Sequence, residues 1–146
     1  MSERSVNLRW TQGMQFIGTD EDGHSLVLDI SADAGGENSG FRPMELLLIS
    51  VAGCTAIDIV DILKKQRQPI QGLELQVSGE RTTEYPKVFQ KVRINYLLRG
   101  SGLNEKAVER AIKLSEKKYC SVGIMVRRSG AEVETEYRIL DNGSES

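Results

Sequence analysis

The amino-acid sequence predicts an α+β domain in which antiparallel sheets cover two central helices. Three observations carry that prediction. The run from Leu46 to Ile57 contains no charged residue and has apolar side chains on every face of a helical wheel, the pattern of a helix covered on all sides. Short stretches with period-two alternation lie on both sides of it, which is the pattern of half-buried strands. A second helical period, Ala107, Val108, Ala111, Ile112 and Leu114, follows further along. The resulting order is β-β-β, buried helix, β-β, helix, short turn, β, an arrangement of sheets packed on helices.

The strands come first. Val6 to Trp10, Met14 to Gly18 and Ser25 to Ile30 read as an amino-terminal meander, and Asp22-Gly23 marks the second hairpin turn. His24 follows that turn as the only histidine, with no second ligand type beside it, and is assigned no chemistry. Ser31 to Gly40 is small, polar and glycine-rich, a flexible connection that could border a pocket. Pro43 suits the first turn of the long helix, and Glu45 favours the positive end of its dipole. Gly53 costs about 1 kcal/mol against alanine inside a helix, which predicts close packing beside Cys54. Charge returns at Asp58 and Asp61, Lys64, Lys65 and Arg67 mark the helix end, and Pro69 stops it.

Leu73, Leu75 and Val77 alternate as a strand, and a second strand runs from Val88 to Leu98, with the exposed connection TTEYPK between them. Ser101-Gly102 breaks the chain, Asn104 is an N-cap, and the amphipathic helix continues to about Lys118. Tyr119-Cys120-Ser121-Val122-Gly123 reads as a helix break and a short apolar turn, and Val133, Thr135, Tyr137 and Ile139 as the last strand.

Composition bounds the function. A chain of 146 residues suits one domain, residues 1–146, since such a length buries roughly 68 to 70% of its unfolded surface. The net charge of −2 comes from 19 basic and 21 acidic residues interspersed, so there is no basic field to draw nucleic acid or an anionic membrane surface. The amino terminus has no apolar leader, and the uncharged run is shorter than the roughly 20 residues that cross a bilayer. A cytoplasmic protein is expected. A helix apolar on every face is hard to cover within one small domain, because a sheet shields only one side; a homodimer with this helix in its core is therefore expected.

The two cysteines, Cys54 and Cys120, are too few for a disulfide scaffold and too far apart in the chain for a C-x-x-C pair or a zinc ribbon. No metal or cofactor is implied. Cys54 is either an inert small hydrophobe or a nucleophile held away from bulk water. Asp58, four residues on and on the same helix face, is a candidate pocket residue whose charge disfavours a neighbouring thiolate.

Pro43-Met44-Glu45-Leu46, Gly53-Cys54 within the buried helix, and Tyr119-Cys120-Ser121-Val122 after the second long helix together resemble the OsmC/Ohr family of peroxide-handling proteins, nearest to its YhfA-like branch. The resemblance runs from the amino-terminal strands to Ile139. It implies an intertwined homodimer with sheets wrapped around two central helices and active sites at the subunit interface. It also implies a thiol peroxidase: Cys54 attacks an organic hydroperoxide, becomes a sulfenic acid and condenses with Cys120, and an external dithiol reduces the disulfide.

In peroxidases of that family a glutamate and an arginine surround the reactive thiol. Here the glutamate's place is Met44, with Glu45 one residue later, and Met14 and Gln15 stand where the arginine belongs. At about 100° per residue a straight helix puts Glu45 and Cys54 on opposite faces, so only an irregular first turn would join them. Arg42, Arg9 and the partner's Arg81 are the substitute cations. Glu45, Arg42 and Asp58 are the candidate supporting residues, and Cys54 is expected to be a slower nucleophile than in dedicated hydroperoxide reductases. Three classes remain open: a hydroperoxide reductase, a redox-sensing or ligand-binding module without efficient turnover, and a structural dimer with inert thiols.

Overall fold

The computed structural model describes residues 2–141. The chain divides into two compact units, one ending at Leu47 and the other beginning at Leu48.

The first unit is a three-stranded antiparallel sheet of β1 (Val6–Gln12), β2 (Gln15–Asp20) and β3 (Ser25–Leu28) in sequential order. Asp20 organises the turn before β3: its carboxylate accepts the backbone N–H of Asp22 and of His24 and lies 2.8 Å from His24 Nδ1. Val6, Leu8 and Trp10 alternate along β1 and are all exposed, Val6 at 81%. The stretch from Ser31 to Gly40 differs from the flexible connection the composition predicts. Buried Asp29 ties it down, accepting the N–H groups of Ile30, Glu37 and Ser39 and the Ser39 hydroxyl. Those bonds, Ser39 foremost, hold the Asp29 carboxyl down at about 2. A glycine-rich sequence is ordered here because one carboxylate satisfies backbone donors that would otherwise need water.

Helix α1 (Pro43–Lys65) is an unbroken α-helix that starts in the first unit and continues into the second. At its start Glu45 Oε1 reaches back to accept the N–H of Arg42 at 2.9 Å, one half of a capping box. In the second unit Val51, Thr55, Ile59 and Leu63 recur every fourth residue and form its buried stripe. The other apolar faces are open in the single chain: Ile49 is exposed and Ile57 is 71% exposed. The close packing expected at Gly53 is also absent within the chain, since a Cβ built there meets nothing within 4 Å.

The second unit's sheet is ordered β4 (Gly72–Arg81), β5 (Phe89–Arg99), β6 (Glu132–Leu140). β4 and β5 form the expected antiparallel hairpin, while β6 pairs parallel to β5, with Val92 opposite Val133 and Tyr96 opposite Tyr137. Parallel neighbours need a crossover, and the segment between β5 and β6 supplies it with helices. Val92, Ile94, Tyr96 and Leu98 alternate inward along β5 and meet a core that includes Ala107, Val108, Ala111 and Ile112 of α2 (Glu105–Leu114). Asn104 caps α2 by accepting the N–H of Ala107. The helix then widens into a π-helical turn over Ser115–Tyr119, closed by the N–H of Cys120 donating to the carbonyl of Ser115 at 2.7 Å. Beyond it lies α3 (Ser121–Arg128), where a short apolar turn is expected from the sequence. The apolar run Val122 to Val126 contains a glycine and is too short for periodicity to separate helix from turn.

By length and composition α1 could cross a bilayer, with a mean hydropathy of 2.2 over its most apolar window. In the single chain 22% of that window is buried, along the stripe Val51, Thr55, Ile59 and Leu63.

Candidate functional site

The π-helical turn re-aims two side chains toward the middle of α1. Ser115 is fully buried, and its hydroxyl donates to Asp58 Oδ2 at 2.9 Å. Five residues later Cys120 ends the turn and becomes the N-cap of α3, its Sγ accepting the N–H of Gly123 at 3.3 Å. The same sulfur is hydrogen-bonded to the Thr55 hydroxyl at 3.2 Å. Glycine at 123 lets the backbone approach the sulfur closely, since a Cβ there would stand 3.1 Å from Cys120 Sγ and push it by a few tenths of an ångström.

Cys54, Asp58 and Cys120 form one cluster: the two sulfurs and a carboxylate oxygen lie within 4.8 Å of one another. Cys54 and Asp58 share a face of α1 at i, i+4 spacing, and the end of the π-helical turn brings Cys120 to them. Both cysteines are free thiols; Cys54 is half-buried, whereas Cys120 is only 1% exposed. Burial pushes the Cys120 thiol above its ordinary value of 9.0; the bonds from Thr55 and Gly123 oppose that rise, and Cys54 adds to it.

Cys120 also borders a cavity of about 10 Å³, lined among others by Thr55, Glu116, Gly123 and Arg127. That volume holds one water at most. On its rim Glu116 accepts the Tyr96 hydroxyl at 3.4 Å and pairs with Arg127 at 3.6 Å. Burial, followed by the charge of Glu116, pushes the Tyr96 phenol far above its ordinary range, so it stays a donor.

The other two sequence-predicted supporting residues, Glu45 and Arg42, belong to the first unit. Glu45 and Arg42 are occupied with each other at the start of α1, through the cap and a 4.0 Å ion pair. The irregular first turn that Glu45 would need to face Cys54 is not present, because the helix is regular from Pro43. Sequence reasoning missed Thr55, Ser115 and Gly123. Two of them left a trace: Thr55 is a polar residue on the stripe Val51, Ile59, Leu63, and Ser115 extends the stripe formed by Val108, Ala111 and Ile112. A polar residue on a buried stripe needs a buried partner.

Residues 36–136 match the family described as OsmC-like protein. Protein YhfA of Escherichia coli (strain K12) is 36% identical over 127 residues, covering 85% of this chain and 90% of that protein. A crystal structure of a hypothetical protein from Aquifex aeolicus VF5 has the same fold, with a TM-score of 0.84, 32% identity, and coverage of 97% of this chain and 98% of that one. The organic hydroperoxide resistance protein OhrB of Bacillus subtilis is similar in fold at a TM-score of 0.63 and 20% identity, with coverage of 94% and 98%.

Proposed function

This chain belongs to the OsmC-like protein family, and from that premise we propose that it is a cysteine-based thiol peroxidase that reduces organic hydroperoxides. The observation that carries the reading is the cluster: a half-buried thiol on α1 within 4.8 Å of a second, buried thiol. Family membership, and a fold shared with a protein named for organic hydroperoxide resistance, support a redox role in peroxide stress.

Cys54 Sγ attacks the distal oxygen of R–O–O–H. The O–O bond breaks, R–O⁻ leaves and takes a proton as the alcohol, and the sulfur becomes a sulfenic acid. Cys120 Sγ then attacks the Cys54 sulfur, an S–S bond forms, and hydroxide leaves as water. An external dithiol returns the pair to two thiols. Cys54 is the attacker because it is the more accessible sulfur; the cavity beside Cys120 is too small for an organic hydroperoxide. Glu45 and Arg42 take no part in this scheme, since each is engaged at the start of α1.

The working unit in this reading is a homodimer in a reducing cytoplasm, with no nucleic acid or membrane partner. The exposed apolar residues Val6, Leu8 and Trp10 of β1, and Ile49 and Ile57 of α1, support a second copy as their cover. The test is Cys54→Ser, which reduces consumption of cumene hydroperoxide to the uncatalysed rate. Unchanged consumption by that variant would remove the assignment. A redox-sensing module without efficient turnover is the second reading, and Asp58 favours it: the charged side chain within 4.8 Å of both sulfurs is a carboxylate, where a dedicated thiol nucleophile has a cation beside it.

A further inference from the structure

We propose that the reduced Cys54–Cys120 pair, with Asp58, binds one borderline-soft divalent cation of the zinc type, and that metal binding and disulfide formation exclude each other. Three side-chain donors from two elements converge within 4.8 Å of one another. A tetrahedral site with metal–sulfur bonds of about 2.3 Å and a metal–oxygen bond of about 2.0–2.2 Å places its donors roughly 3.5–3.8 Å apart. The cluster reaches that spacing by closing up about 1.3 Å at most.

The donor types select the ion. Two sulfurs and one carboxylate oxygen suit zinc, cobalt or ferrous ions, whereas magnesium and calcium require oxygen ligands throughout. Cys54 and Asp58 stand at i, i+4 on α1, the spacing by which one helix face presents two ligands to one ion. Cys120, held at the N-cap of α3, supplies the third, and a water completes the four.

The supporting contacts are those of a metal site as well. Ser115 donates to Asp58 Oδ2, which orients the carboxylate. Gly123 N–H and Thr55 fix Cys120 Sγ. Ligand-orienting partners of this kind govern affinity. Among the described residues no lysine or arginine pairs with Asp58, since the ion pairs of the second unit use Asp61, Glu116 and Glu134 instead. A divalent cation is the counter-charge that lets a carboxylate and two thiolates share so small a space.

Binding releases two protons, one from each thiol, as both sulfurs coordinate. Oxidation of the same pair sends two electrons to the O–O bond of a hydroperoxide, giving an alcohol, water and a disulfide that has lost both thiolate donors. The cation is then released. Metal binding itself does not depend on the peroxidase reading, because any oxidant that forms the disulfide expels the ion.

Cobalt(II) is the probe, added to the reduced full-length protein without oxygen. One equivalent per chain gives thiolate-to-cobalt charge-transfer absorption and the strong visible bands of a tetrahedral site, and zinc then displaces the cobalt. Cys120→Ser removes the charge-transfer band from that sulfur, Asp58→Asn weakens binding at least tenfold, and Ser115→Ala weakens it about tenfold. Oxidation with diamide abolishes binding whether or not a hydroperoxide can do the same, so the two readings fail separately. A six-coordinate cobalt spectrum without charge transfer would overturn the proposal, as would full affinity in Asp58→Asn with its far-ultraviolet circular dichroism unchanged.

Discussion

Cys54 and Cys120 lie within 4.8 Å of each other, yet the chain treats them differently. Cys120 is almost fully buried, caps a helix, accepts an N–H from Gly123 and is bonded to Thr55. Cys54 is half-buried on a helix whose neighbouring face, at Ile57, is open in the single chain. One thiol is held by hydrogen bonds from Gly123 and Thr55. The other is the more exposed of the two, with a carboxylate as its charged neighbour at i+4. In the peroxidase reading this contrast assigns the resolving role to the held thiol and the attacking role to the open one.

The sharpest way to break the comparison is to remove the held thiol. Cys120→Ser leaves one stoichiometric turnover with organic hydroperoxide and then stops, because the sulfenic acid has no partner within the chain. Single-turnover kinetics against steady-state kinetics separates the two phases. Multiple turnovers at the wild-type rate would give both thiols the same role.

The next largest effect is pH. Burial raises the Cys120 thiol, so its thiolate is a minor species at neutral pH and disulfide closure speeds up about tenfold per pH unit between about pH 6 and 8. The sign for stability is the reverse. The fold favours the protonated thiol, so this contribution is complete below the ordinary value of 9.0 and is lost as pH rises from there toward the raised value. Stopped-flow thiol oxidation and thermal unfolding across that range check both signs.

Thr55→Val is a smaller perturbation on the same side. It removes the hydroxyl 3.2 Å from Cys120 Sγ, a bond worth about 1 kcal/mol, and slows closure roughly fivefold while leaving the first attack by Cys54 unchanged. Equal slowing of both steps, measured in the same stopped-flow trace, would erase the distinction between the thiols. Glu45→Gln has the smallest effect, under about twofold on hydroperoxide consumption, since glutamine can still cap the N–H of Arg42. A loss as large as that of Cys54→Ser would return Glu45 to the active site.

Much of the frame was legible from pattern alone. The uncharged run announced α1, Pro43 and the lysines at its end bounded it, and Asn104 capped α2 as its type and position predict. What stayed hidden depended on contacts distant in the chain. The parallel pairing of β6 follows from a crossover that includes α3, where the apolar run Val122 to Val126 reads as a short turn because it is too short to show a helical period. Order in Ser31 to Gly40 depends on buried Asp29, which glycine and serine content does not report. Cys54, Asp58 and Cys120 were each visible as candidates. Their convergence, with Thr55 and Ser115 behind them, was not, because a π-helical turn decides where the end of α2 points.

The most direct test of the central claim is a count of free thiols in the full-length protein before and after one equivalent of an organic hydroperoxide. The account predicts a fall from two thiols per chain to none, one equivalent of alcohol, a Cys54–Cys120 cross-linked peptide on digestion, and recovery of both thiols with dithiothreitol. Two thiols that still titrate after hydroperoxide, or a Cys54 sulfinic acid that builds up while Cys120 stays free, would contradict it.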